Sequence, residues 1–263
     1  GVKNKMLRAH AFAVLLVSAS AFHATLPSLH RIPAGTRLAR TASGTFRAAK
    51  TNRVPAASIT TLNAEIQLFG SRSSRSPLVE WYLNEIDQPY NHREDLENNP
   101  NPFGQIPGMT DGSVEIFESG AMLLYIADKY GGLNTPEDRA DASKWVLWAN
   151  AALAPALFTA EIEARAPGLL QKLDDILAEK EFLVNDKFSV ADVAVGSYLL
   201  FIPLFFNNFD VSRFPNVTKY MQRCVQRPSY LAVFPGAPKA AEYVKGQVAK
   251  IGQGPTKKQF GLF

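Results

Sequence analysis

The sequence predicts two folded domains in series, a small α/β layer and then an all-helical domain, behind a long amino-terminal segment outside the fold. Three observations carry that reading. Residues 1–64 contain no Asp or Glu, residues 65–132 alternate short apolar runs with helical patterns and a hairpin turn, and from residue 133 onward only helical periodicity remains.

The leader is defined by its charge. It holds Lys3, Lys5, Arg8, Arg31, Arg37, Arg40, Arg47, Lys50 and Arg53, so the rest of the chain carries 19 basic against 24 acidic residues, net −5, although the whole is +4. A basic balance that vanishes with the leader excludes a nucleic-acid-binding body. Met6-Leu7-Arg8 begins a positive region, residues 11–17 form an apolar run of signal-peptide length, and Ala19-Ser20-Ala21 offers a small-residue cleavage site. Residues 22–60 then have the Arg, Ser, Thr and Ala content of a transit peptide. The junction Ala19-Ser20-Ala21-Phe22-His23-Ala24 resembles that of bipartite plastid leaders in algae with plastids of red-algal descent, with His at the fifth place. The expected address is therefore the plastid (chloroplast). The alternative is an ordinary secretory signal and an endomembrane or secreted product.

Within the α/β layer, assigned to residues 61–132, Ile66-Gln67-Leu68-Phe69 reads as a short buried strand ended by Gly70. Ser76 is placed to N-cap a helix with Pro77 at its first position, and Leu78, Trp81, Tyr82, Glu85 and Ile86 follow at helical spacing. Pro89 stops that helix, and residues 90–96 form a polar extended segment suited to a sheet edge. Met109 and Val114–Phe117 flank Asp111-Gly112, a two-residue turn that closes an antiparallel hairpin. Glu118-Ser119 opens a helix that runs to Tyr130 and stops at Gly131-Gly132. Strand, helix, strand, hairpin and helix is the order of a thioredoxin-like domain. The helical domain spans residues 133–236, and a terminal helix and tail occupy 237–263. Thr135-Pro136-Glu137-Asp138 caps its first helix, and the capping box Ser189-Val190-Ala191-Asp192 precedes an apolar run over 193–206 too continuous for a surface helix.

The segments Leu68-Phe69-Gly70, Ser74-Arg75-Ser76, Val79-Glu80-Trp81-Tyr82-Leu83, Asn101-Pro102-Phe103-Gly104-Gln105-Ile106-Pro107, Glu118-Ser119-Gly120-Ala121 and Phe188-Ser189-Val190-Ala191-Asp192 stand in a telling order. That order resembles the glutathione transferase family, most nearly its cyanobacterial chi class. The resemblance implies the glutathione transferase architecture, with a cis-proline turn at Ile106-Pro107 whose free backbone pairs with the cysteinyl backbone of glutathione. It gives Glu118 and Ser119 the γ-glutamyl end, a carboxylate for the α-amino group and a hydroxyl with helix-start amides for the α-carboxylate. Simple N-capping would also account for that pair. The loop of residues 71–76 would meet the glutathione thiol at the positive end of the first helix, where a hydroxyl or guanidinium favours the thiolate. Aligned as in the chi class, the acting residues are Ser74 and Arg75; a plant-type alignment selects Ser73; Ser76 is assigned to capping. Between Tyr90 and Asn101 the chain is shorter than the family pattern, which trims the region that holds the glycyl end and leaves Gln105 as its donor.

The implied function is conjugation of glutathione to small hydrophobic electrophiles, or their reduction by it, as in detoxification. Glutathione is the co-substrate, no metal is used, and the family implies a homodimer. The rival is a non-catalytic scaffold or accessory subunit of a plastid membrane complex. A dehydroascorbate-type reductase is disfavoured, because the first-helix loop has no cysteine. Cys224 stands alone, which leaves no disulfide and no dithiol pair, and His10, His23, His30 and His92 show no metal-ligand spacing. Trp145, Trp148, Tyr198, Phe201, Phe205 and Phe206 either wall an electrophile pocket or form plain core.

Overall fold

The computed structural model describes residues 66–253; the leader, its cleavage sites, three of the histidines and the tail after residue 253 lie outside the described residues. β1 (Ile66–Phe69), α1 (Ser76–Glu85), β2 (Tyr90–Arg93), β3 (Gly108–Asp111), β4 (Val114–Phe117) and α2 (Ser119–Lys129) build the expected thioredoxin-like layer. The sheet order is β2-β1-β3-β4, with β2 parallel to β1 and the hairpin antiparallel. The polar segment 90–96 is thus an edge strand, cut to four residues. Ile66, Leu68 and Met109 are buried with Leu78, Leu83, Met122 and Ile126 of α1 and α2 in a continuous apolar core.

Two local expectations are corrected. Asp111 pairs with Val114, so the two turn residues are Gly112 and Ser113, with the positive φ (63°) at Gly112. Asp111 instead ends β3 with its side chain buried. It accepts bonds from Lys129 (2.6 Å), Tyr130 (2.7 Å) and Tyr125 (2.9 Å), which outweigh the cost of burial and hold its carboxyl below the usual range. Nor is Ser76 the N-cap of α1. It is the first helical residue, and its backbone N–H is satisfied by Ser74 Oγ at 3.1 Å.

No helix separates β2 from β3; residues 94–107 form a loop, as the shortened spacing predicts. The helical part comprises α3 (Pro136–Trp148), a π-helical turn (Ala149–Leu153), α4 (Ala154–Leu157), α5 (Ile162–Ile176), α6 (Val190–Phe205), α7 (Pro215–Val225), α8 (Pro228–Val233) and α9 (Ala237–Lys250). Both predicted capping boxes form, at Thr135 with Asp138 and at Ser189 with Asp192. α6 is the central helix, buried without a break from Val190 to Pro203 because it packs against α3, α7 and α9 as well as α1 and α2. Asp192 at its start accepts from Leu183 N–H (3.0 Å), Ser189 N–H (2.9 Å), Ser189 Oγ (3.0 Å) and Tyr220 Oη (3.1 Å). Burial dominates nonetheless and pushes its carboxyl up to about 6. Burial likewise pushes the Cys224 thiol far up, so this cysteine is an inert core residue.

The α/β layer and the helices share one interface. Trp81 of α1 is fully buried there against Tyr230 (5.0 Å between ring centroids), Phe188 (5.7 Å) and Phe234 (6.0 Å). Its indole N–H donates to Ser229 Oγ at 3.1 Å. Beside it Arg227 donates from two guanidinium nitrogens to the two carboxylate oxygens of Glu85, and Ser229 donates to Glu85 as well. The guanidinium lies 3.7 Å from the centre of the Phe188 ring.

Candidate functional site

Strand register brings the predicted site residues to one end of the sheet. Phe69 pairs with Gly108 and Gly108 with Phe117, so the loop after β1, the turn before β3 and the helix start after β4 all leave the sheet side by side. The first two pieces touch. A Cβ on Gly70 would meet Ser76 Oγ at 1.9 Å and lie 3.7 Å from Pro107 Cα, so only glycine allows this approach. The Ile106-Pro107 peptide is cis, Ile106 stands outside the strand ladder, and Pro107 is buried. Gln105 is exposed, and its carbonyl accepts from Asn99 Nδ2 at 2.9 Å.

In the serine loop the three candidates have different circumstances. Ser74 is buried, and its hydroxyl donates to Ser71 C=O at 2.7 Å while accepting from Ser76 N–H and, at 2.8 Å, from Ser76 Oγ. A hydroxyl has one proton, so Ser74 as it stands has none for a ligand. It instead satisfies the N–H of the first residue of α1. Ser73 is exposed, with its Oγ 3.0 Å from Ser71 Oγ. Arg75 is half-buried, and its guanidinium carbon lies 5.8 Å from the centre of the Tyr198 ring on α6.

Glu118 holds φ 69° and ψ 119°, a backbone that a non-glycine residue rarely adopts, and its side chain is exposed and makes no cap hydrogen bond. Ser119 behind it is buried, and its Oγ has no well-formed hydrogen bond among the described residues. N-capping therefore does not explain the pair, since neither side chain caps α2. The first amides of this helix and the buried Ser119 hydroxyl stand together at the helix start, with a strained residue holding a carboxylate beside them. That arrangement suits a zwitterionic amino-acid head group.

Two groups about the site escape a reading of spacing. His92 on β2 places Nδ1 3.1 Å from Glu80 Oε1 and Nε2 3.2 Å from Gly70 C=O, tying the start of the serine loop to a buried carboxylate of α1. Tyr90 Oη also donates to Glu80, at 3.2 Å. Tyr198 and Asn150 come from the helical part, where sequence shows them only as a core aromatic and an undistinguished polar residue. Of the other aromatics, Tyr198, Phe201, Phe205 and Phe206 surround buried Phe158. Trp145 and Trp148 sit elsewhere, in a groove of about 330 Å³ with Leu173 and Ile176 of α5.

Comparisons with known proteins agree with this construction. The family model described as glutathione S-transferase, C-terminal domain, matches residues 155–228. A glutathione S-transferase domain-containing protein of Dictyostelium discoideum is 30% identical over 155 residues, covering 48% of this chain and 59% of its own length. The chain thus spans little more than half of that relative. Glutathione S-transferase GstB of Escherichia coli is 29% identical over 205 residues, covering 62% of this chain and 95% of its own. A solved glutathione transferase of Burkholderia graminis, with two glutathione molecules bound per subunit, superposes with a TM-score of 0.57 at 25% identity, over 65% of this chain and 88% of that one. The chain has the glutathione transferase fold, and over residues 155–228 it carries the sequence pattern of that family's C-terminal domain.

Proposed function

We propose that the chain binds glutathione at the sheet end formed by residues 71–76, 105–107 and 118–119, and transfers it to small hydrophobic electrophiles or uses it to reduce them. The carrying observation is Glu118-Ser119: a strained, exposed carboxylate next to a buried hydroxyl that caps nothing, at the start of an eleven-residue helix. Glu118 receives the α-amino group of the γ-glutamyl residue, and Ser119 Oγ with the first amides of α2 receives its carboxylate. The Ile106 backbone pairs with the cysteinyl residue. Its sulfur lies toward Arg75 and the exposed hydroxyl of Ser73, whose charge and hydrogen bond hold it as thiolate. The thiolate then attacks the electrophile directly, so the protein supplies no covalent nucleophile. The glutathione bound by the Burkholderia graminis protein supports this ligand. A chi-class relationship, a homodimer and action in the plastid belong to the same proposal, the last on the leader's composition.

The test is the pKa of the bound glutathione thiol, followed by ultraviolet thiolate absorbance across pH. The expected thiol is depressed below its free value and restored toward it in Arg75→Ala. Ser119→Ala weakens binding about tenfold, the ~1.4 kcal/mol expected for one charge-assisted hydrogen bond, with little effect on the thiol. Absence of binding, or binding with an unshifted thiol, would refute transferase chemistry and leave the scaffold role.

A further inference from the structure

The site reaches past the α/β layer. Tyr198 sits in the middle of α6 with no exposed surface, its ring packed against Phe158 and Phe201. Its hydroxyl nevertheless donates to Asn150 Oδ1. Asn150 lies on the π-helical turn that interrupts the run from α3 to α4, a distortion that re-aims a side chain and is common at functional sites. Gly120, the second residue of α2, makes room for it: a Cβ there would come within 2.2 Å of Asn150 Nδ2. On its other side the Tyr198 ring receives the Arg75 guanidinium at 5.8 Å from its centre. Burial raises the phenol of Tyr198, while the charge of Arg75 and a hydrogen bond with the Ser119 hydroxyl lower it and the charge of Glu118 raises it, so all three reach this one side chain.

We propose that Tyr198, oriented by Asn150, is a positioning residue that fixes the Arg75 guanidinium relative to Glu118 and Ser119, so that the helical domain sets the geometry of the thiolate site. The role rests on the glutathione reading above. Tyr198 need not touch the tripeptide; it acts through Arg75, whose half-buried guanidinium lies against its ring. A π-helical turn, a glycine opened for an amide and a tyrosine hydroxyl in an apolar interior are three departures from plain packing, all directed at one place.

The test measures the bound thiol's pKa and the glutathione Kd in the full chain for wild type, Tyr198→Leu, Arg75→Ala and the double variant. Tyr198→Leu is expected to raise the thiol pKa by about 0.5 to 1 unit, and to add nothing in the Arg75→Ala background, since the two act as one unit. A merely structural tyrosine would lower thermal stability and leave that pKa in place. Should Tyr198→Leu not fold, Tyr198→Phe keeps the ring and loses the hydroxyl that meets Asn150 and Ser119; a raised thiol pKa supports the role and an unchanged one overturns it. A wild-type chain that lowers the thiol pKa together with a folded Tyr198→Leu that lowers it equally overturns the role of Tyr198 alone. A wild-type chain that leaves the thiol at its free value overturns the glutathione reading, and this role with it.

Discussion

Replacing Arg227 with Leu removes the group that joins α1 to the helical domain, and the structure sets the size of the effect. Arg227 and Glu85 are 30% and 15% exposed, so their pair lies between the surface and the interior. Exposed pairs contribute about 0.2–1 kcal/mol, whereas stripping one partner from a buried pair costs about 3–5 kcal/mol. Stacking on Phe188 adds about 0.5–1 kcal/mol, and Leu returns part of it as apolar contact with the same ring. Ser229 still donates to Glu85 in the variant, which softens the loss of the cation. The net expectation is a destabilisation of about 2–3 kcal/mol, or roughly 5–10 °C in Tm for a chain of this size. Urea unfolding followed by fluorescence reports it directly, because Trp81 lies within the same contact. A cycle with Glu85→Gln should give a coupling energy of about 1 kcal/mol or more. A loss below about 0.5 kcal/mol, or strictly additive effects, would refute the idea that this bidentate pair locks the two domains.

Two further outcomes follow from buried groups and from the missing helix. Asp192 has a folded carboxyl at about 6 against 3.8 when unfolded, so its contribution to stability is fully present below pH 3.8 and fades as pH rises through 6. Between pH 4 and 6.5 wild type should lose up to about 3 kcal/mol relative to Asp192→Asn, whose own stability is lower because its NH2 replaces one oxygen and meets two of the four donors; a constant difference across that range in chemical denaturation would contradict the assignment. With only a loop at 94–107 and Gln105 exposed, the glycyl end of the tripeptide has little to hold it. Calorimetry should therefore find γ-glutamylcysteine binding within about fivefold, or ~1 kcal/mol, of glutathione, and a hundredfold preference for the tripeptide would show that the loop grips glycine after all.

Much of this architecture is legible in the sequence because local chemistry dictates it. Asp138 and Asp192 each stand three residues after a Thr or Ser that opens an apolar or Pro-led run, and both boxes close as their spacing requires. The interval between Tyr90 and Asn101, shorter than the family pattern, holds no helix. The two local errors have one cause. Asp111-Gly112 and Ser76-Pro77 each offer a favourable turn or cap, but tertiary demands moved the assignment by a residue or two. Lys129, Tyr125 and Tyr130 of α2 hold Asp111 inside the sheet. Gly70 lets Ser76 pack against the strand end, leaving its N–H to Ser74.

The site shows where local rules stop. Ser74, Arg75, Glu118 and Ser119 are visible because a loop and a helix start can be placed from turn and cap chemistry, yet the proton of Ser74 is committed to Ser71 by a fold-dependent contact no spacing predicts. Tyr198 sits 79 residues after Ser119 on a helix buried from Val190 to Pro203, where spacing reads it as one more aromatic of the core or of a pocket wall. Asn150 is harder still, since ideal α-geometry gives no account of a π-helical turn. These residues came together because α6 packs against both α2 and α3, so the central helix of the helical part lies beneath the proposed site of the α/β layer. On the proposed reading, glutathione chemistry is a property of the domain interface, and changes at Asn150, Gly120 or Tyr198 should read out at the sulfur before they read out in overall stability.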